Sequence, residues 1–249
     1  MLWDCLCFLN NDIQLASDGR YGKVYAVKAG PGSRNPWNTG FPAGYASAEI
    51  TKGRPNDLGK WDWFAQAYRI SGGFTGPGFV TVSQFGYPTL SSPPLGLYLG
   101  NSNGVLNFRL FRNAGLLSNN GSGWYGGTVV EQPSFLPVPL GKWVEIIVGV
   151  RWATDNTGEI RVYTRTEGEA DFTLRLSRSG QPTWQYGTTS YGTVNADGSN
   201  ASGQQVRVLD KQGLYFGYPD GRTSFPTESL QETGLVRASD YATARATLP

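Results

Sequence analysis

The longest alternating stretch of the sequence reads Gly141-Lys-Trp-Val-Glu-Ile-Ile-Val-Gly-Val-Arg-Trp-Ala-Thr-Asp-Asn-Thr-Gly-Glu-Ile-Arg-Val-Tyr-Thr-Arg165. Side chains along a strand alternate between the two faces of a sheet, so every second residue shares a face. One such set is apolar and resumes after the turn-forming residues 155–158: Val144, Ile146, Val148, Val150, Ile160 and Val162. The stretch therefore predicts a long β-hairpin with one face in a hydrophobic core.

Similar strand-like runs recur between separators rich in Gly, Pro, Asn and Ser. With 34 Gly and 15 Pro in 249 residues and no sustained helical period, the chain is expected to be all-β. We expect one domain over residues 1–249, with residues 1–20 as a peripheral N-terminal segment. The predicted strands are Lys23–Lys28, Tyr45–Thr51, Trp61–Ile70, Phe79–Phe85, Leu95–Leu99, Val105–Phe111, Trp143–Trp152, Gly158–Arg165, Phe172–Leu176, Val206–Tyr218 and Leu235–Ala246.

The residue inventory excludes several classes of function. The 21 basic and 19 acidic residues are scattered, so no nucleic-acid-binding surface is indicated, and no run of about 18 apolar residues suggests a membrane span. The chain has no His, which excludes imidazole catalysis and His-ligated zinc, and Cys5 and Cys7 are too few for a metal site. No cofactor is predicted. Ca²⁺ stays an open alternative, because no acidic loop of known spacing decides it.

Two long stretches between predicted strands, residues 115–140 and 180–205, are candidates for functional loops, since long irregular loops usually carry a binding role. Aromatic rings stack on the C–H faces of sugars at a small entropic cost, so their aromatic residues are predicted to border a glycan cleft. The alternative is that these rings pack the loops onto the sandwich. The aromatic residues are Trp124, Tyr125, Trp184, Tyr186 and Tyr191.

The hairpin carries a pattern seen in a known group of folds. Trp143, Val150, Trp152 and the run Gly158-Glu-Ile-Arg-Val-Tyr163 resemble the hairpin of concanavalin-A-like jelly rolls, particularly the heparin-lyase-like, glucuronan-lyase-like and alginate-lyase-like polysaccharide lyases. The resemblance implies a concanavalin-A-like jelly-roll β-sandwich of two antiparallel sheets. Laminin-G-like binding modules share this hairpin, so it does not by itself separate a lyase from a binding module.

Three shorter segments occur in the order that these lyases use. The first, Ser47-Ala-Glu-Ile50, resembles their Arg-x-Glu-Leu strand, with Glu49 kept and Ser47 in the place of the arginine. The second, Gln84-Phe-Gly86, resembles their Gln-Ile-His, with Gln84 kept and Gly86 in the place of the histidine.

The third segment, Lys211-Gln-Gly-Leu-Tyr-Phe-Gly217, resembles the Lys-x-Gly-x-Tyr-x-Gln strand of the family. It keeps Lys211, Gly213 and Tyr215 but ends in Gly217. A spacing of two places the three kept residues on one face of a strand. A bent sheet could present that face, and the face carrying Glu49, in a common groove.

These lyases cut uronic acid polymers by β-elimination, in which the carboxylate is neutralised, the C5 proton is removed and the departing O4 is protonated. The resemblance implies that Gln84 hydrogen-bonds the uronate carboxylate and that Tyr215 acts as base and acid. It implies that Lys211 lowers the pKa of that tyrosine or pairs with the charge of the substrate. Glu49 and Arg109 are expected among the carbohydrate-binding residues, together with Trp124, Trp184 and Tyr186.

The departures from the family pattern leave two interpretations open. Ser47 and Gly86 remove a cation and an imidazole that the family uses, although Arg109 or Arg112 could replace the arginine. The interpretation that we favour is a catalytically degraded relative in a bacteriophage virion, which binds host surface polysaccharide or serves as a structural or decoration module. The alternative is an active polysaccharide lyase.

The first residues of the sequence bear on location. Met1 to Leu9 have neither the basic start nor the small-residue cleavage site of a secretion signal. Virions leave their host by lysis and need no such signal, so we expect a minor tail or decoration protein at the virion surface. Its expected partners are polysaccharide and other virion proteins. The alternative is a secreted protein whose signal has been removed.

Overall fold

The computed structural model describes residues 12–33, 45–75, 79–88, 92–119, 125–217, 224 and 226–249. Within them the chain forms two large β-sheets that pack face to face, and a small two-stranded sheet, β8 (Ser118–Asn119) with β9 (Tyr125–Gly126). This is the β-sandwich that the sequence predicts. Cys5, Cys7 and Trp124 lie outside the described residues.

We call the first large sheet the back sheet. It has eight antiparallel strands in the order β1-β2-β18-β4-β12-β13-β14, and β19 also pairs with β4. Their bounds are β1 (Ile13–Asp18), β2 (Gly22–Ala29), β4 (Trp61–Ile70), β12 (Trp143–Arg151), β13 (Glu159–Thr166), β14 (Thr173–Ser179), β18 (Glu228–Glu232) and β19 (Val236–Ala238).

The second large sheet, which we call the front sheet, has nine strands. Its order is β16-β15-β7-β6-β5-β17-β3, with β10 and β11 also paired to β7. All of its pairs are antiparallel except that of β15 with β7. The bounds are β3 (Tyr45–Pro55), β5 (Phe79–Tyr87), β6 (Leu95–Ser102), β7 (Val105–Leu116), β10 (Val129–Glu131), β11 (Ser134–Pro137), β15 (Gln185–Thr189), β16 (Gly192–Val194) and β17 (Arg207–Gly217).

The predicted hairpin is confirmed as β12 and β13, whose register runs from Val144 opposite Thr166 to Arg151 opposite Glu159. Its alternating apolar side chains lie in the core between the sheets, as predicted. The other face of β12 is also buried, because Ile147 packs with Trp63 and with α1 (Tyr241–Ala246). The face of β12 that points away from the core between the sheets is therefore not exposed to solvent.

The C-terminal prediction of a strand over Leu235–Ala246 is wrong for most of its length. The chain forms only the short β19 there and then turns into α1, which Asp240 caps by accepting a hydrogen bond from the Thr243 backbone N–H at 2.8 Å. In the described part of the chain, no helix is long and apolar enough to cross a membrane.

The two long stretches that were predicted to be irregular loops contain short strands. Residues 115–140 carry β8 to β11, and residues 180–205 carry β15 and β16. β10, β11, β15 and β16 extend the front sheet on the side of β7, while β8 and β9 pair with each other. The described parts of both stretches are therefore partly strand rather than wholly irregular.

A buried ionic network ties the two sheets together. Arg54 on β3 binds Asp210 on β17 at 2.5 Å and Asp62 on β4 of the back sheet at 3.3 Å. Asp62 also accepts a hydrogen bond from the indole of Trp152 at 2.6 Å. Removal of one member of such a buried pair strands its partner and typically costs about 3–5 kcal/mol. This network fixes the front sheet relative to the back sheet.

Candidate functional site

The outer face of the front sheet carries a cleft of about 700 Å³. This volume lies within the range of known small-molecule and saccharide pockets. Strands β3, β5, β6, β7 and β17 form its floor, and Gln132 and Tyr191 approach from the rim. Five of its lining residues were singled out from the sequence: Glu49, Gln84, Tyr191, Lys211 and Tyr215.

The alternation of β17 explains how its two site residues reach the cleft. Leu214 and Phe216 point into the core, so Lys211 and Tyr215 point outward. Lys211 lies opposite Gln84 on β5, and Tyr215 lies opposite Ser47 on β3. The structure thus brings Gln84, Lys211 and Tyr215 to the same side of the same sheet.

Gly213 sits between the two functional residues of β17 because no side chain fits there. Its φ is +126°, and a Cβ built on it would lie 2.1 Å from the carbonyl oxygen of Ala48. The two strands therefore approach closely next to Glu49, which is the residue opposite Gly213. This close approach helps to place the Glu49 carboxylate beside Lys211.

The floor of the cleft is a continuous row of aromatic rings. The Tyr215 ring centroid lies 6.2 Å from that of Tyr45 and 5.7 Å from that of Phe79. Phe79 continues to Tyr98 at 6.4 Å, and Tyr98 continues to Phe111 at 5.1 Å. Such a row offers flat apolar surface with hydroxyl groups, which suits the C–H and O–H faces of sugar rings.

One cation and one carboxylate face each other in the cleft. The Lys211 Nζ lies 4.0 Å from a Glu49 carboxylate oxygen and 5.1 Å from the ring centroid of Tyr87. Burial raises the pKa of Glu49, and the nearby Lys211 only partly opposes this shift. The distance between Lys211 and Glu49 is at the limit for an ion pair, so the ammonium group makes only a weak contact with this carboxylate.

The tyrosine hydroxyls of the cleft hold their protons firmly. Burial, the Glu49 charge and the neighbouring tyrosines raise the pKa of Tyr215 above its ordinary value, and burial foremost raises the pKa of Tyr87 and of Tyr98 to about 12. Lys211 therefore does not bring the pKa of Tyr215 below its ordinary value, and the alternative, that Lys211 pairs with the charge of the substrate, stays a prediction. At neutral pH Tyr215 is therefore a protonated phenol, and it can act as a base only in the small fraction of molecules in which that proton has been lost to solvent.

The position aligned with the family's histidine does not face the cleft. Gly86 has a φ of +64°, and a Cβ on it would lie 2.9 Å from the Trp152 ring, in the core. The register between β5 and β17 shifts at this point, so the next residue to line the cleft after Gln84 is Tyr87. Tyr87 was not predicted because the predicted strand ended at Phe85, although a glycine inside a strand is itself a bulge signal.

Neither arginine that was considered as a replacement lines the cleft. Arg109 is on the same face as Tyr98, but its guanidinium donates to the carbonyl oxygen of Gln132 at 3.0 and 2.7 Å and so supports the rim. Arg112 is buried and pairs with Glu131 at 3.0 Å. Arg109 thus supports the backbone of Gln132, and its direct contact with sugar stays a prediction.

The predicted loop aromatics behave differently from one another. The prediction for Trp184 is wrong, because its side chain is 0% exposed and packs edge-on against Trp152 in the core, with ring centroids 5.2 Å apart. Tyr186 is half-buried beside β7 and lies outside the set of lining residues. The ring of this segment that reaches the cleft is Tyr191, between β15 and β16.

The described residues hold no group of three or more His, Cys, Asp or Glu side chains that could bind a metal ion. The polar side chains that line the cleft are two amides, the Ser92 hydroxyl, an ammonium, a carboxyl and several phenols. This set can hydrogen-bond hydroxyls, pair with one negative charge and transfer protons.

The comparisons with known proteins give a fold and no sequence family. No protein-family model matches the sequence, and no curated protein is similar to it in sequence. The fold is similar to that of the endo-β-1,4-glucuronan lyase of Trichoderma reesei, with a TM-score of 0.67 at 14% identity, over 96% of this chain and 92% of that one.

Two alginate lyases are also similar in structure. The enzyme of Aplysia kurodai has a TM-score of 0.55 at 11% identity, over 92% of this chain and 88% of its own. The enzyme of Pseudomonas aeruginosa has a TM-score of 0.53 at 14% identity, over 94% and 88% of the two chains. The resemblance expected from the sequence is confirmed: the chain has the concanavalin-A-like jelly-roll fold of these polysaccharide lyases.

Proposed function

We propose that this protein binds a uronate-containing polysaccharide in the cleft of the front sheet and cleaves it by β-elimination. The observation that carries the proposal is the convergence of Gln84, Lys211 and Tyr215 in one cleft of a lyase-like sandwich. The chain has no His, so proton transfer in this cleft falls to phenol, ammonium or carboxyl groups.

The proposed reaction uses these groups in separate roles. The Gln84 amide donates to the uronate carboxylate, and the Lys211 ammonium pairs with its charge, which stabilises the enolate that forms at C5. The phenolate of Tyr215 takes the C5 proton, the C4–O4 bond breaks, and a C4=C5 double bond remains. The same phenol then gives its proton to the departing O4. Because the pKa of Tyr215 is raised, the rate is expected to increase towards alkaline pH.

A change of one hydroxyl tests this assignment. Incubation with polyglucuronate, alginate or a heparin-type polymer is expected to increase ultraviolet absorbance from the unsaturated product. Tyr215→Phe removes the proton carrier and is expected to reduce the rate by about 10²- to 10⁴-fold while the polymer still binds. Tyr163→Phe, on the outer face of the back sheet, is the matched control and is expected to cleave at the wild-type rate. Equal rates for Tyr215→Phe and wild type exclude the assignment.

Binding without cleavage is the second candidate, and two observations favour it. Ser47 provides no cation opposite Tyr215, and position 86 points into the core rather than into the cleft. On this candidate, calorimetry detects polymer binding to the wild-type protein and absorbance stays constant. A double variant, Lys211→Ala with Gln84→Ala, is then expected to abolish the calorimetric signal.

The setting in a virion surface is a separate proposal, which rests on the sequence resemblance alone. Its partners would be other virion proteins as well as host polysaccharide. Mass spectrometry of purified phage particles tests it directly. Detection of the chain in particles supports the setting, and its recovery only from culture medium free of particles supports a secreted enzyme.

A further inference from the structure

A second groove opens next to the cleft on the same side of the molecule. It has a volume of about 490 Å³ and lies between the β15–β16 hairpin and residues 195–206, the segment that leads into β17. Tyr191 lines both the cleft and this second groove. The two cavities therefore meet at the ring of a single residue.

The position of Tyr191 is fixed by its neighbours although its side chain is 70% exposed. Its backbone N–H donates to the Thr189 hydroxyl at 3.1 Å, and the N–H of Ser190 donates to the Tyr125 hydroxyl at 3.1 Å. The hydroxyls of Thr188 and Thr193 bond across the hairpin at 3.0 Å. A large ring on an ordered backbone can stack on a ligand at a small entropic cost.

The far wall of the second groove is also ordered before any ligand arrives. The Asn200 side-chain oxygen accepts from the backbone N–H groups of Ser202 at 2.9 Å and Gln204 at 3.0 Å. The Asn56 amide donates to the Gln205 side chain at 2.9 Å and to the Val206 carbonyl at 3.1 Å. The groove is thus lined by hydroxyl and amide groups on a fixed backbone.

The second groove contains one cation, Arg207, whose side chain is exposed. In the described ranges, no carboxylate lies within ion-pair distance of its guanidinium. A guanidinium in this state is available to a carboxylate of the ligand, which it matches with two parallel donors. Hydroxyl, amide and guanidinium donors beside an aromatic ring fit a sugar that carries an acid group.

We propose that the second groove binds the uronate units that continue from the polymer chain in the cleft. In this arrangement Tyr191 stacks on the sugar ring at the junction of the two cavities, and Arg207 pairs with the carboxylate of the next unit. The inference rests on the proposed function and extends it, because it makes the site longer than the catalytic cleft. It identifies an acidic polymer, rather than a monosaccharide or a neutral glycan, as the ligand.

A series of uronate oligomers of increasing length tests this inference. The affinity of the wild-type protein, measured by calorimetry, is expected to rise with oligomer length until both cavities are filled. If the oligomers are cleaved, kcat/KM is expected to rise in the same way. Tyr191→Ala is expected to lose about tenfold on long oligomers and little on the shortest, while Tyr191→Phe keeps the rise. Arg207→Gln is expected to lose about two- to fivefold on long oligomers, less at high salt. Leu174→Ala, an exposed apolar truncation on β14, is the control.

The outcomes separate the inference from the proposed function. A length-dependent loss in both groove variants supports the second groove. A wild-type protein that binds or cleaves the oligomers with no gain from length, or groove variants that lose equally at every length, overturns the inference and leaves the proposed function standing. A wild-type protein that neither binds nor cleaves any oligomer overturns both proposals.

Discussion

Both sheets of the sandwich carry aromatic rings, a buried glutamate and basic side chains on their outer faces. On the back sheet, Glu145 accepts from Tyr21 at 2.7 Å and from Arg20 at 2.8 Å, and also pairs with Arg165. The rings there are covered, since Trp63 packs against Tyr241 of α1 at 5.6 Å. The back face is therefore closed by its own chain.

The front face uses the same residue types and leaves them open. Glu49 has a single ion-pair partner among the described residues, Lys211 at 4.0 Å, and the aromatic row lies at the bottom of a cleft instead of under a helix. The difference shows that aromatic and charged residues mark a binding face only where nothing in the chain covers them. The back face is covered by the helix and the front face carries an open cleft, so variants on the two faces are expected to differ in their effect on function.

In the comparison of the two faces, the largest effect is expected from a negative charge in the cleft. Gln84→Glu replaces the amide donor by a carboxylate that repels the uronate, and kcat/KM is expected to fall by about 10²- to 10³-fold. Initial rates of absorbance increase measure this loss. Gln14→Glu makes the same change of charge on an exposed position of the back sheet and is expected to keep the wild-type rate. An equal loss in both variants points to net charge rather than to the cleft.

A smaller effect is expected when the closed face loses its central carboxylate. Glu145→Gln leaves Arg20 and Arg165 without their anionic partner, and the free energy of unfolding is expected to fall by about 1–3 kcal/mol. Urea denaturation measures this change, while kcat/KM well below the midpoint is expected to stay at the wild-type value. Loss of cleavage without loss of stability contradicts a purely structural back face.

The smallest effect concerns the pH dependence of stability at the open face. The pKa of Glu49 is raised in the folded protein, so the folded protein binds the proton of this carboxyl more tightly than the unfolded chain does. Its contribution to stability is complete below the ordinary glutamate pKa and is lost as the pH rises through the folded pKa. Glu49→Gln is therefore expected to lose less stability between mildly acidic and mildly alkaline pH. Parallel curves for variant and wild type in urea titrations contradict the shift.

Strand periodicity carries most of the fold prediction. The alternation of apolar residues placed the hairpin of β12 and β13 in the core, and the spacing of Lys211, Gly213 and Tyr215 placed the first and last of these in the cleft. Each of these results depends on residues within a regular strand, where the period of two fixes the face on which each side chain lies. Periodicity together with the family resemblance therefore predicts the fold and the site residues that lie on β3, β5 and β17.

Two of the failed predictions, those for Trp184 and for position 86, depend on a distant part of the chain, whereas the failure at the C-terminal helix does not. Trp184 was read as a loop ring, yet Trp152 and the core enclose it. Because of the bulge at Gly86, Tyr87 rather than position 86 lies on the cleft face. This shift is detected only from the register of β5 against its partner strand. The C-terminal helix was missed although Asp240 before Tyr-Ala-Thr-Ala-Arg-Ala is a helix N-cap signal in the sequence itself.

The most direct test of the account is a crystal structure of Tyr215→Phe soaked with a uronate oligomer. The oligomer is expected along the front sheet, with a carboxylate at Gln84 and Lys211 and sugar rings over the aromatic row. An oligomer bound only on the back sheet, or a cleft without ligand in crystals whose protein binds the same oligomer in solution, contradicts this expectation.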